Sequence, residues 1–290
     1  VTPIIVQTLL PAALAFIMLA VGVTLVPADF RRLLQQPRAV TAGLFAQIVL
    51  LPAVAWTMAV AWRLPPELAV GLVILGACPG GASSALIAYL GRGTAALSVT
   101  LTAITSLVAL VSMPVVVQAG LQHFLGVNSA VEFSVAKLVR GVFFISTVPV
   151  IAGMLLRHYW PAFIARVQGA LGRVATGLFI LVVVATFVSQ REALFANFAT
   201  VGPATACMNL LVMLAGAGLA LALRLDRRDA VAIASECGLQ NAGLGIFVAT
   251  TVLATPVLAV PSVVYALIMN LGAFALIYAG RRLIPAPAAS

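Results

Sequence analysis

Glu236 is a carboxylate set within an apolar, glycine-interrupted stretch, Val231-Ala-Ile-Ala-Ser-Glu-Cys-Gly-Leu-Gln-Asn-Ala-Gly-Leu-Gly245. The other acidic residues (Asp29, Glu67, Glu132, Glu192, Asp226 and Asp229) fall in loops or at the ends of apolar runs. A charge at bilayer depth costs about 2.5–3.5 kcal/mol on insertion scales, so such a group calls for a cation, a proton or a buried partner. His123 and His158 lie outside the apolar runs, and no lysine or arginine shares the depth of Glu236. A bound cation is the economical partner. Sodium, a hard ion, takes oxygen ligands. Gln240 lies four residues on and shares the face of Glu236 while the helix holds. Where the helix opens, the carbonyls of Cys237 and Leu239 become free to coordinate. Gln47, the one amide in its apolar run, could reach across. Ser98 and Thr102, also four apart, and Ser84 offer hydroxyls that matter only if they converge on Glu236.

The elements that must position these groups are membrane helices. The chain has 290 residues, 63% hydrophobic and 8% charged, whereas charged residues make up about a quarter of a soluble domain. This composition predicts an all-α polytopic membrane protein of one domain. A span needs roughly 20 apolar residues, and nine such runs are legible at 4–26, 39–61, 67–91, 94–118, 134–156, 174–190, 198–223, 230–254 and 258–280. The first is too long and too weakly basic at its front for a cleaved signal peptide. The net charge of +9 comes without a basic run longer than two residues, so nucleic acid is not an expected partner. Placing Arg31, Arg32 and Arg38 in the cytoplasm places Arg92, Arg157, Arg166, Arg173, Arg224, Arg227, Arg228, Arg281 and Arg282 there too. Arg63, Lys137, Arg140 and Arg191 stay opposite. That asymmetry puts the N-terminus outside and the C-terminus inside. Residues 160–173 read as a short interfacial helix joining two halves. Cys78, Cys207 and Cys237 have neither disulfide-framework nor zinc spacing.

Two runs are broken at their centres, at Gly76-Ala-Cys-Pro-Gly-Gly-Ala-Ser-Ser84 and at Glu236-Cys-Gly-Leu-Gln-Asn-Ala-Gly243. Pro79 removes a backbone donor, and paired glycines weaken a helix. Unwound backbone survives in a bilayer only where protein or a water-filled cavity satisfies it, and a pair of interrupted spans in two halves points to a transporter binding site. Half-helix N-termini beyond each break would present free amides to an anion, from Gly81, Ala82 and Ser83 and from Asn241 and Ala242. Asn209, Asn241 and Asn270 are further intramembrane amides expected to face the interior. Plainer readings stand beside these: ordinary kinks, close-packing glycines, Gln47 as interhelical glue, and hydroxyls bonded to their own preceding turn.

Together these segments resemble the bile acid:sodium symporter family in its bacterial branch. The resemblance runs through Gly22-Val-Thr-Leu-Val-Pro-Ala-Asp-Phe30, Leu64-Pro-Pro-Glu-Leu-Ala-Val-Gly71, Cys78-Pro-Gly-Gly81, Tyr89-Leu-Gly-Arg-Gly93, Ala96-Leu-Ser-Val99, Glu236-Cys-Gly-Leu-Gln-Asn-Ala-Gly-Leu244 and Ala259-Val-Pro261. It implies two inverted repeats, with a core (about 39–118 and 198–280) holding two crossing discontinuous helices beside a panel (about 4–26 and 134–190). It implies one sodium site from Gln47, Glu236, Gln240 and the backbone of Cys237 and Leu239, and a second from Ser84, Ser98, Thr102 and Glu236. Gly81, Ala82, Ser83, Asn209, Asn241 and Asn270 would meet the substrate. The chain departs from the family where Ala82-Ser-Ser-Ala85 replaces Thr-Ala-Ser-Asn, which puts the second site in question, and where Met269-Asn270 replaces His-Asn.

The expectation is therefore a sodium-coupled symporter of the bacterial inner membrane. It would import an organic anion, such as a bile acid or a pantoate-like carboxylate, with Na+ as the coupled ion and no obligate protein partner. A proton-coupled carrier, an arsenite-type efflux carrier and a passive channel are the alternatives. Cys78 precedes Pro79, where arsenite carriers place the cysteine after proline. No His-Glu-x-x-His and no Gly-x-x-x-x-Gly-Lys occurs, so no enzyme is expected.

Overall fold

The computed structural model describes residues 9–25, 35–81, 83–126 and 133–285. Among them the chain forms helices and no strand. Six helices are long and apolar enough to cross a bilayer: α2 (Pro37–Ala61), α5 (Ala95–Phe124), α6 (Val135–Tyr159), α7 (Pro161–Ser189), α8 (Arg191–Ala222) and α11 (Pro256–Leu283). Shorter apolar helices accompany them, α1 (Leu10–Gly22), α3 (Pro66–Gly76) and α10 (Ala242–Val252). Two more, α4 (Ser84–Leu90) and α9 (Arg227–Gly238), complete the set among the described residues. The many leucines and phenylalanines on their outer faces, Leu214, Leu271 and Phe274 among them, fit a multi-pass membrane protein.

Local chemistry sets the helix ends. Pro37, Pro66, Pro161 and Pro256 each open a helix, where a missing N–H costs nothing and the fixed φ is already helical. Asp226 caps α9 by accepting from the backbone N–H of Arg228 at 3.1 Å, and Ser134 caps α6 through the N–H of Lys137. Pro114 and Pro203 lie inside α5 and α8 without ending them. One π-helical turn interrupts each of α2 (Ala46–Leu50), α6 (Phe143–Thr147) and α10 (Val248–Val252).

One expectation is overturned. Residues 160–173 are not a separate interfacial helix but the opening turns of α7, which runs unbroken to Ser189. After Pro161 no residue interrupts it. Gly169 and Gly172 face open space, and a glycine costs a helix only about 1 kcal/mol relative to alanine, too little to stop one 29 residues long.

Helix α1 packs against α6 and α7. At its crossing with α6 the backbones nearly touch: a side chain on Gly22 would run into the carbonyl of Val150, and one on Gly153 into that of Leu19. Elsewhere α8 lies along α9 and α11, α2 along α3, and both α4 and α9 rest on α5. That last arrangement brings the two broken spans to one place.

Candidate functional site

Helix α3 stops at Gly76 and α4 starts at Ser84, while α9 stops at Gly238 and α10 starts at Ala242. The unwound segments between them run antiparallel and pair across a single β-bridge, Gly80 to Gln240. The N–H of Gly81 donates to the carbonyl of Leu239 at 2.6 Å, and the N–H of Asn241 donates to that of Pro79 at 3.0 Å. Backbone that would be orphaned in the bilayer is thus satisfied by the other break. The sequence-based expectation of free amides fails at Gly81, Asn241 and Ala242. The amides of Gly81 and Asn241 are consumed by the crossing, and that of Ala242 donates to Gln240.

Glu236, on the last turn of α9, has no exposed surface. Its Oε2 accepts from Ser84 Oγ at 2.8 Å and Ser98 Oγ at 2.9 Å, and its Oε1 accepts from Thr102 Oγ1 at 2.8 Å. Three hydroxyls from α4 and α5 therefore hold one carboxylate of α9, as the four-residue spacing of Ser98 and Thr102 predicts. Gly80 leaves the room: a methyl group there would overlap the carboxylate. No arginine or lysine pairs with Glu236 among the described residues.

The amide cluster lies on the other side of the same turn. Gln47 Nε2 donates to Gln240 Oε1 at 2.8 Å and to the carbonyl of Cys78 at 3.1 Å. Gln240 Nε2 donates to the carbonyls of Cys237 at 2.8 Å and Glu236 at 3.1 Å. Gln47 sits in the π-helical turn of α2, a distortion common at functional positions. Glu236 joins the two clusters in different ways, its carboxylate among the hydroxyls and its backbone carbonyl among the amides. This division is invisible in the sequence. All donors to a cation here are oxygens of carboxylate, hydroxyl, amide or carbonyl, the set a hard ion takes.

The remaining candidates scatter. Asn241 caps α10, its Oδ1 accepting from the N–H of Leu244 at 3.0 Å, while its Nδ2 faces Met18 of α1. Asn209 donates to the carbonyl of Gly238 at 2.7 Å and to Tyr265 Oη at 3.0 Å. Tyr265 itself donates to the same carbonyl at 2.9 Å. Ser83 is exposed beside the break, and Ala82 lies outside the described residues. Asn270 does not face the interior as expected. It is exposed on α11 and bonds back to the carbonyl of Ala266 at 2.7 Å; it shares a helix face with Ala266 one turn earlier, but the neighbours that bury Ala266 do not cover it. Two participants escaped the sequence reading. Ser235 donates to the carbonyl of Ser84, tying α9 to α4, and Tyr265 closes the end of α9. Position 235, directly before the glutamate, was the only available signal.

The profile of the sodium bile acid symporter family matches residues 11–197. The chain belongs to that family. Relatives include the uncharacterized sodium-dependent transporter YocS of Bacillus subtilis, 33% identical over 89% of this chain and 78% of the relative. The probable chloroplastic sodium/metabolite cotransporter BASS2 of rice is 30% identical over 92% of this chain and 62% of its own length. The human ileal sodium/bile acid cotransporter is 28% identical over 62% of this chain and 51% of that protein. The family is one of transporters, and a multi-pass membrane protein with an oxygen-lined carboxylate between two broken helices fits it.

Proposed function

We propose that this protein is a sodium-coupled symporter that imports an organic anion by alternating access, with Glu236 as the charge that holds the ion. The observation that carries this reading is the buried carboxylate, gripped by Ser84, Ser98 and Thr102 at the crossing of the two breaks. Sodium would neutralise it. In one site the ion would take Gln47, Glu236, Gln240 and the carbonyls of Cys237 and Leu239, and in a second the hydroxyls of Ser84, Ser98 and Thr102, again with Glu236. Ala85, beside Ser84 on α4, brings no side-chain ligand to that second site.

In this reading α1, α6 and α7 form the panel, and α2–α5 with α8–α11 the core, arranged as two inverted repeats of nine spans in which α3 with α4 and α9 with α10 each make one. Loading of the ion pins α4, α5 and α9 together. The core then moves against the panel to open the site inward. Coupling requires that sodium favour the substrate-competent arrangement, since an ion of equal affinity for both states shifts nothing. The substrate class is a carboxylate or sulfonate on an apolar body, of bile-acid or pantoate type, meeting the protein beside Ser83 and Asn241. The gathering of Arg92, Arg227 and Arg281 at one end, where Arg92 donates to the carbonyl of Arg281 and Arg227 to that of Leu283, supports a cytoplasmic C-terminus in the cell membrane.

Uptake into proteoliposomes under sodium, potassium or proton gradients, across a panel of bile salts, pantoate-like acids and keto acids, tests the reading. Uptake driven by sodium alone and abolished by Glu236→Ala is expected. Uptake driven equally by a proton gradient replaces sodium with a proton on Glu236. Flux indifferent to every gradient makes the protein a channel.

A further inference from the structure

A groove of about 710 Å³ opens between α8 and α11 over α9, reaching inward as far as Asn209, which bonds the carbonyl of Gly238 at the end of α9. Leu214 and Leu221 of α8 form one wall and Leu271 and Leu276 of α11 the other, over a floor of Ala230 and Ala234. The small floor residues give it depth, and the exposed leucines open it to the surrounding bilayer. Its lining on α8 runs from Ala206 to Leu221, which at 1.5 Å per residue is roughly 22 Å of helix. One leaflet of hydrocarbon is about 15 Å deep, so the groove accepts a full acyl chain with room for the start of a headgroup.

The ends differ in chemistry. The deep end is the amide of Asn209, and the other is Arg227, the one charged group of the lining among the described residues. Arg227 donates to the carbonyl of Leu283 and forms no ion pair among the described residues. Its acidic neighbours are committed elsewhere, Asp226 to the N–H of Arg228 and Asp229 to Thr94. Arg281 and Arg282 occupy the last turn of α11 at the same end. An occupant matched to this surface carries a long apolar tail and an anionic head, held where the basic residues gather.

We infer that the groove between α8, α9 and α11 is a binding site for an anionic phospholipid, its acyl chain along the leucine walls and its headgroup phosphate at Arg227. Basic pockets between membrane helices recognise anionic headgroups, and a single arginine near the surface is worth about a fivefold preference.

Native mass spectrometry of the purified protein, titrated with 1-palmitoyl-2-oleoyl-phosphatidylglycerol or the matching phosphatidylcholine, reads the occupancy. The phosphatidylglycerol is expected to be retained in preference. That preference should fall about fivefold in Arg227→Ala and persist in Arg227→Lys. Ala275→Trp, which places an indole in the groove from an exposed lining position, should weaken the retention of both lipids. Each variant is checked for a monodisperse fold and unchanged stabilisation by sodium. Equal retention of the two lipids, a preference untouched by Arg227→Ala, retention unchanged in Ala275→Trp, or cholate displacing phosphatidylglycerol at a lower concentration than phosphatidylcholine does would each overturn the assignment.

Discussion

Replacing Gly80 by alanine puts the crossing to a quantitative test. The added methyl group would land on the carboxylate of Glu236, nearest Oε1 and 3.1 Å even from Oε2, where ordinary contact begins at 3.4 Å. Carbon and oxygen cannot share that space, and Gly80 itself is pinned in the bridge to Gln240. The glutamate must move by roughly 1.5 Å, which carries bonds now near 2.8 Å past the limit of hydrogen bonding. Three hydroxyl donors are at stake, from Ser84, Ser98 and Thr102. A hydrogen bond to a charged group contributes about 1.5–3 kcal/mol, so losing one costs the fold that much, and moving the carboxylate away from the hydroxyls with which it would share the ion raises the sodium requirement about tenfold for each 1.4 kcal/mol of ion binding lost. Gly81→Ala is the graded control. Its methyl group would meet the carbonyls of Gln240 and Leu239 at 3.0 and 3.1 Å, a contact that a shift of a few tenths of an ångström relieves. The assay is a sodium titration of thermal stability in purified protein, with potassium as the reference, followed by a sodium titration of uptake. A Gly80→Ala protein that folds and responds to sodium at the wild-type concentration would refute the argument.

Further tests follow from the same geometry. Gln240→Ala removes an amide oxygen and the partner of Gln47, and should raise the half-saturating sodium concentration about tenfold in the same titration. Ala85→Asn places an amide beside Ser84, where the proposed second site lacks a side-chain ligand, and should steepen the sodium dependence of uptake; an unchanged curve means that Ala85 does not limit the second site. Tyr265→Phe deletes one of two donors to the carbonyl of Gly238. It should cost about 1 kcal/mol and lower the melting temperature by about 2–4 °C in differential scanning fluorimetry, with a larger loss when combined with Asn209→Ala.

Much of the crossing was legible in the primary structure because it rests on strong local signals. A carboxylate within an apolar run, a proline beside paired glycines, and hydroxyls four apart each restrict the chain wherever they occur, and the structure brings Glu236, Ser84, Ser98 and Thr102 to hydrogen-bonding distance. The division of Glu236 between two clusters was not legible, since it depends on which way a side chain turns once α4, α5 and α9 have met. The fate of the half-helix amides was hidden for a related reason: each break is satisfied by the other, and pairing between residues 160 positions apart leaves no local trace. Tyr265 looked like any aromatic in an apolar run until Gly238 ended beneath it. Asn270 was misplaced because its depth in an apolar run says nothing of whether a neighbouring helix covers it: Ala266 and Ala273, on the same helix face, are buried while Asn270 is exposed. Residues 160–173 misled because their arginines read as an interface, while the backbone had no reason to stop.

Direct binding of radioactive sodium to the purified protein in detergent bears most immediately on Glu236 as the ion's counter-charge. Saturable binding by the wild-type protein, displaced by unlabelled sodium but not by potassium and lost in Glu236→Ala, is the expected result. Undiminished binding in a folded Glu236→Ala protein would contradict it.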